Sequence, residues 1–392
     1  MGVASKRLRD YRRVMSEGNP MAAIAKVSSS ADDLVRVAPD EKSKARVRNL
    51  FGMYHYQRGE PETALAQFSQ AYELSGQCEP LCNALILSRK CRAHESLTSL
   101  QKAAERSFKN IADGAEKIQL ADVLCHTAGD AGDQERVKRY GRASLRMKDQ
   151  MAGRPVALVD RVRPKFNFYE KSKNVIAFSL FGDNERYLRM AKENMKALPF
   201  VYPGWSCRFY VDGSVPQDNI SELVSMGASV VVQRKPHDRN TMSGLFWRFE
   251  IASDPKVDFF LVRDADSVIN IREKVAVDQW ISGEKNFHVI RDFYTHSELM
   301  LAGLWGGVGG RISNISDEIQ QFHRLPGGNV LGSANLDQAF LRSHVWPAVK
   351  QEVCIHDSVF HSEGSQDFPS VGLMEPVRHV GQDMNIFRRS GK

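Results

Sequence analysis

From residue 174 onward, short apolar runs of strand character alternate with amphipathic segments of helical period, and this alternation leaves few folds open. The runs are "NVIAFSLF" (174–181), "WSCRFYVD" (205–212), "ASVVVQR" (228–234), "VDFFLVR" (257–263) and "NFHVI" (286–290). Between them lie "NERYLRMAKENMKAL" (184–198), "QDNISELVSMG" (217–227), "GLFWRFEIAS" (244–253) and "REKVAVDQWIS" (272–282). Strands separated by helices of this length need parallel crossovers, and a parallel sheet has to be covered on both faces. Ligands of such sheets bind beyond the carboxyl ends of the strands.

The most apolar of these runs ends in two acids one residue apart, Asp264 and Asp266 in "DFFLVRDADSVIN". Carboxylates so close repel each other unless a cation lies beside them. A hard divalent ion, Mn²⁺ or Mg²⁺, prefers oxygen ligands and keeps one or two carboxylates together with substrate phosphate oxygens. Such a loop would clamp a nucleotide diphosphate and absorb its charge as it departs. The other reading is local: Asp266 or Ser267 caps the helix that follows.

Residues 1–150 have a different texture, with scattered Val and Ile, Ala and Leu at helical spacing, and breaks at Gly and Pro. They predict an all-α region of paired helices. In "RNLFGMYHYQRGEPETALAQFSQAYEL", Gly52, Gly59, Ala64, Phe68 and Ala71 fall at the small, turn, small, aromatic and small positions of a tetratricopeptide repeat. Small residues let two antiparallel helices approach, and Phe68 fills the gap between them. A weaker copy, "HTAGDAGDQERVKRYGRASL" (126–145), keeps Gly132 but loses the register at Tyr140 and Ala143. The resemblance implies a surface for a protein partner. Two prolines and scattered charge then mark a linker at 151–172, before an α/β domain over 173–392.

Composition excludes several classes. The formal net charge is +7, but residues 1–165 hold 29 Lys and Arg against 20 Asp and Glu, leaving 25 against 27 for the rest. The basic excess therefore belongs to the helical part, where it is either a solvated surface or a contact for an acidic partner or the periphery of an anionic membrane. No basic cluster is interleaved with aromatics, so nucleic acid is not an expected partner. The six cysteines form no C-x-x-C pair, which argues against a zinc site or a disulfide framework. No signal peptide or membrane span is legible, so the cytoplasm is the expected location. There is no G-x-G-x-x-G, which argues against NAD or FAD.

The ordered motifs "SGLFWRFEIASD…VDFFLVRDADSVINIREKVAVDQWI…FHVIRDFYTH…GLWGGVGG…LDQAFL…WPAV…IHDS" resemble GT-A fold glycosyltransferases, and within them a bacterial group with R-D-A-D-S and H-D-S motifs. The resemblance covers roughly residues 174–385. It implies that Asp264 and Asp266 hold the metal and diphosphate, with a late histidine as third ligand: His356 in "VCIHDSVF", or else His379 in "VRHVGQD". It implies that Asp337, in "LDQAFL", is a base or positioning group with Gln338 beside it, although the same residues also suit a helix N-terminus. Arg248 and Arg263 offer planar donors to phosphate, or else form internal salt bridges. Asp292, the alternative to Asp337 for orienting or deprotonating the acceptor, and the glycines of "AGLWGGVGG" (302–310), Gly306 and Gly307 among them, would line the acceptor side, although so rich a run also suits a tight turn. Asp212 and the "FSLFGDNERY" exit would hold base and ribose.

Together these readings predict a metal-dependent hexosyltransferase that moves a sugar from a nucleotide diphosphate donor to a glycan or other hydroxyl acceptor, a chemistry of polysaccharide biosynthesis. The Asp-Gln pair leans toward retention of configuration, but either outcome suits the scaffold. A helical-repeat scaffold with a retired catalytic domain and a nucleotidyltransferase are the alternatives. The metal constellation argues against the first, and the single glycine after the first strand against the second.

Overall fold

The computed structural model describes residues 2–238, 242–324, 335–369 and 379–384. The chain divides into two compact units, Met1–Met147 and Lys148–Lys392.

The first unit is helical, with α1 (Gly2–Ser16), α2 (Pro20–Lys26), α3 (Ala31–Val35), α4 (Glu41–Gln57), α5 (Pro61–Ser75), α6 (Cys78–Lys90), α7 (His94–Asn110), α8 (Ala115–Asp130) and α9 (Gln134–Asp149). From α4 on the helices form hairpins. A methyl on Gly52 would lie 2.6 Å from the Phe68 ring, so this close crossing of α4 and α5 requires glycine. The hairpin turns pass through left-handed residues, Gly59 (φ 75°), Arg92 (φ 54°) and Gly132 (φ 72°). Arg92 fills without glycine the place that Gly59 and Gly132 fill with it, at a local cost in strain, and so hides the middle hairpin from a glycine search.

The second unit is a mixed sheet: β1 (Asn174–Leu180), β2 (Ser206–Val211), β3 (Ser229–Val232), β4 (Phe259–Val262), β5 (Phe287–Arg291), β6 (Trp305–Val308), β7 (Val353–Asp357) and β8 (Ser365–Gln366). Their order is β3-β2-β1-β4-β6-β5-β7-β8. Every pairing is parallel except those of β6, which runs antiparallel to β4 and β5. The sequence predicts a parallel sheet and reads the glycines of "AGLWGGVGG" as lining the acceptor side or as a tight turn, whereas the run carries this inserted strand. A methyl on Gly306 would meet the Phe260 carbonyl at 2.5 Å, and one on Gly307 the Phe287 ring at 2.6 Å. These two glycines let β6 pass between bulky neighbours, a packing reason that accounts for both.

All seven residues of β1 are buried, as a strand covered on both faces must be. One face packs under α10 (Glu185–Val201), α11 (Gln217–Ser225) and α12 (Ile271–Ser282), with Phe178, Phe209, Phe259 and Trp280 in the core. Two 3₁₀ segments, Ser243–Leu245 and Trp247–Ser253, stand where the sequence predicts one helix over 244–253. With α13 (Ile315–Arg324), α14 (Leu336–Phe340) and α15 (Trp346–Val349) they complete the unit. The N-cap of α12 is Asn270, whose side chain accepts from the Glu273 N–H at 3.1 Å. Asp266 and Ser267 are thus not needed as caps.

Residues 151–172, expected as a linker, are mostly irregular yet bound to the sheet unit. Arg161 donates to the Val257 and Gly309 carbonyls and pairs with Asp258 at 3.0 Å. Arg163 donates to the carbonyls of Lys285, Trp280 and Ile281. Among the described residues, no helix is long and apolar enough to cross a membrane.

Candidate active site

After β1 the chain moves outward to β2 and β3, then returns to place β4 on the other side of β1. The strand order reverses between β1 and β4, which is where an open α/β sheet leaves a crevice at its carboxyl ends. A cavity of about 440 Å³ lies there, lined by Ser179 and Phe181 from the β1 exit, Tyr187, Arg248, Asp264 and Asp266, among others. Asp264 and Asp266 reach it because β4 stops at Val262 and the chain turns immediately.

Arg248 connects the cavity to a distant part of the chain. Its backbone N–H donates to Ser179 Oγ at 3.0 Å, which fixes its 3₁₀ segment to the β1 end. Its guanidinium donates to Asp264 Oδ1 and, at 3.0 Å, to Asp337 Oδ2. Burial opposes a charged guanidinium here, but the two carboxylates outweigh it and raise the Arg248 pKa. Asp337 is 4% exposed on the first turn of α14, and its other oxygen accepts from the Gln338 N–H at 2.9 Å. Burial pushes the Asp337 pKa up to about 6, against the pull of Arg248.

Asp266 accepts from Arg186 at the start of α10, and the same guanidinium pairs with Asp383 at 2.7 Å. Ser267 and Asp383 form an antiparallel bridge, and the Met384 N–H donates to the Asp266 carbonyl at 3.3 Å. The 379–384 segment thus lies along the D-x-D turn. Burial, and next the charge of Asp264, raise the Asp266 pKa; Arg186 acts the other way. Gly303 is the third close neighbour, because a methyl there would fall 2.0 Å from Asp264 Oδ2.

Several expected site residues lie elsewhere or are already engaged. Arg263 is 1% exposed and turns under the sheet, pairing with Glu273 of α12 at 3.1 Å, so the internal salt bridge prevails over phosphate contact. Asp292 is bidentate with Arg272 and accepts from the Val380 N–H at 3.0 Å; it anchors the C-terminal segment instead of presenting a free base. Asp212 directly follows β2, as expected, but its oxygens accept from Ser214 and from the His237 N–H at 2.6 Å. It orders the loop whose His237 ring stacks on Phe181 at 4.1 Å, beside the cavity.

His356 is not at the aspartates. It sits on β7, three strands from β4, or about 14 Å at the usual strand spacing. It is buried against His288 and Gln279. His379 belongs to the segment along the D-x-D turn, with its ring stacked on Phe293 at 4.1 Å and its Nδ1 on the Val380 carbonyl. The first two residues of "VRHVGQD", Val377 and Arg378, lie outside the described residues.

Sequence reasoning missed Asp383, and it placed Arg186 and Gly303 only within longer site segments, the "FSLFGDNERY" exit and the 302–310 glycine run, without linking either to the aspartates. Arg186 follows a helix cap, Asn184, and Gly303 opens a glycine run, but no local pattern marks either as a neighbour of Asp264 or Asp266.

The aspartates suit a hard cation. They present carboxylate oxygens to one cavity, and burial, then the charge of Asp264, raises the proton affinity of Asp266 beyond what Arg186 offsets, an effect a cation would oppose. Among the described residues the one grouping of three His, Cys, Asp or Glu ligands within mutual reach is elsewhere, at His288, Cys354 and His356. A cation at Asp264 and Asp266 would therefore complete its shell with substrate and solvent oxygens.

No protein-family model matches the chain. No curated protein matches it in sequence. Among solved structures, a point mutant of the O-GlcNAc transferase of Thermobaculum terrenum aligns with a TM-score of 0.32 at 10% identity, covering 59% of this chain and 42% of that one. The mannosyltransferase PcManGT of Pyrobaculum calidifontis, solved with GDP-Man and Mn²⁺, aligns with a TM-score of 0.30 at 10% identity, covering 60% of this chain and 68% of that one. The chain thus spans less than half the length of the first of these, and neither alignment assigns it to a family.

Proposed function

We propose that the second unit is a metal-dependent glycosyltransferase of the GT-A kind, transferring a hexose from a nucleotide diphosphate sugar to a hydroxyl acceptor. The observation that supports this most is the junction at the strand-order reversal, where Arg248 bridges Asp264, beside Asp266, to Asp337. Asp264 and Asp266 would hold Mn²⁺ or Mg²⁺, which would supply positive charge to the departing diphosphate. Arg186, at the rim with Asp266 and Asp383, is placed to exchange a carboxylate for a phosphate oxygen, since its fork suits both. Asp337 orients the acceptor hydroxyl or takes its proton, and a pKa of about 6 leaves it ionised yet basic near neutrality. The Phe181–His237 stack offers a flat apolar surface for a nucleobase. The helical hairpins are read as a tetratricopeptide-type array that docks a protein partner.

The test is calorimetry with a panel of nucleoside diphosphates and their sugar conjugates, with and without Mn²⁺, followed by donor hydrolysis assays. Metal-dependent binding of one nucleotide and slow release of its sugar are expected. Binding of free nucleoside triphosphates in preference to every diphosphate sugar would replace this reading with a nucleotidyltransferase, and no nucleotide binding at all would leave a scaffold.

A further inference from the structure

Away from the cavity, three side chains with borderline or soft ligand atoms converge on one face of two neighbouring strands. Cys354 and His356 are two residues apart on β7 and so point the same way. His288 on β5 is the register partner of Cys354. One ligand atom from each lies within 4.8 Å of the others. His288 Nε2 is 2.8 Å from His356 Nδ1, and Cys354 Sγ is 3.9 Å from the same atom. From this geometry we infer that His288, Cys354 and His356 form a second metal site, selective for a thiophilic divalent cation of the zinc type and independent of the aspartate pair.

The surroundings are those of a ligand set. His356 Nε2 lies 3.0 Å from both Gln279 Oε1 and Gln366 Nε2, and in the tautomer that donates to Gln279 its Nδ1 is left as a lone pair facing His288 and Cys354. Gln366 Nε2 lies 3.2 Å from Cys354 Sγ, where an N–H would stabilise a thiolate. The Trp280 ring stacks on His288 at 5.3 Å and fixes its plane. His288 is fully buried, and its Nδ1 has no hydrogen-bond partner among the described residues. Such a nitrogen costs stability and persists where another interaction of the ring offsets it; a metal bond at Nε2 would do so.

Zinc takes nitrogen and sulfur ligands in tetrahedral geometry, and three protein ligands leave a fourth position for water. Calcium and magnesium want oxygen and are excluded by this set. Both imidazoles are neutral, with burial lowering the His356 pKa to about 4 and that of His288 well below its usual value. Binding must still remove the Cys354 thiol proton, which burial holds on by raising its pKa to about 11. The proton now between the imidazoles moves to His288 Nδ1 and stays on the protein. One proton per metal therefore reaches solvent, from sulfur. The sequence gives no hint of this site, because its ligands follow no C-x-x-C or H-x-x-H spacing; strand register alone brings His288 to β7.

The inference does not rest on the proposed transferase activity. The metal-free full chain would be titrated with Co²⁺ and then Zn²⁺, following the visible bands of tetrahedral cobalt and the thiolate charge-transfer band. One equivalent is expected, with release of one proton, displacement by Zn²⁺, and protection of Cys354 from alkylation in the unmutated protein. Cys354→Ser should abolish the charge-transfer band and weaken binding by more than the roughly 10–100-fold that follows loss of a supporting contact, whereas Asp266→Asn should leave both intact. Absence of a charge-transfer band, or alkylation of Cys354 at the same rate with and without Zn²⁺, would overturn the site. The alkylation measurement decides the matter even if Cys354→Ser fails to fold.

Discussion

Arg248 holds Asp264 and Asp337 together: one guanidinium donates to the first acid of the D-x-D turn and, at 3.0 Å, to the buried carboxylate on α14. Replacing it with Ala leaves Asp337 buried without a counter-charge, a change worth about 3–5 kcal/mol for buried pairs. Denaturant unfolding should show a loss of that order. Arg248→Lys should recover only part of it, since an ammonium cannot span both acids as a fork does. A loss below about 1 kcal/mol for Arg248→Ala would show the bridge to be dispensable.

For the metal clamp, Asp266→Asn is expected to remove Mn²⁺-dependent nucleotide binding while the protein still unfolds cooperatively, because burial already disfavours the charge there. His356→Gln should leave that binding unchanged, since β7 carries it away from the aspartates. Calorimetry with Mn²⁺ present checks both. Undiminished binding in Asp266→Asn would remove the aspartate from the donor site.

Gly303→Ala adds a methyl where Asp264 Oδ2 now stands, 2.0 Å away. The carboxylate has to move, so metal-dependent binding should fall at least tenfold, with the 1–3 kcal/mol stability loss typical of overpacking. Gly182→Ala, where no atom lies within 4 Å, tests backbone strain alone through its φ of 76°. If both variants bound donor equally well, Asp264 would have no part in the clamp.

Asp337 predicts a pH signature. Its folded pKa, about 6, is above the ordinary 3.8, so the folded state binds the proton more tightly than the unfolded state. Its contribution to stability is therefore complete below about pH 4 and is lost as pH rises through about 6, on the order of 3 kcal/mol for two units. Asp337→Asn should flatten that part of the stability curve. Transfer should run oppositely, falling below about pH 6 as the carboxylate protonates; a pH profile of kcat/KM unchanged in Asp337→Asn would exclude it as the base.

Residues 151–172 should resist limited proteolysis despite their composition, because Arg161 and Arg163 tie them to backbone carbonyls of the sheet unit. Arg163→Ala should expose them to trypsin. Early cleavage there in the unmutated protein would show that these bonds do not hold in solution.

The sequence by itself determined the two textures of the chain. Helical spacing with Gly52 opposite Phe68 dictates a hairpin, since only a missing side chain lets the ring in. Apolar runs separated by helices dictate a covered sheet with Asp264 and Asp266 at its carboxyl ends. These are local facts, set by periodicity, side-chain volume and the stop of an apolar strand at charge. Tertiary structure decided the rest. It inserted β6 against the direction of its neighbours, turned Arg263 inward to Glu273 while bringing Arg248 between Asp264 and Asp337, and set His356 beside His288 and Cys354 instead of the aspartates. An arginine beside several acids has no local preference among them, and a histidine's partners depend on strand order, so both are fixed only once the sheet has closed on one register.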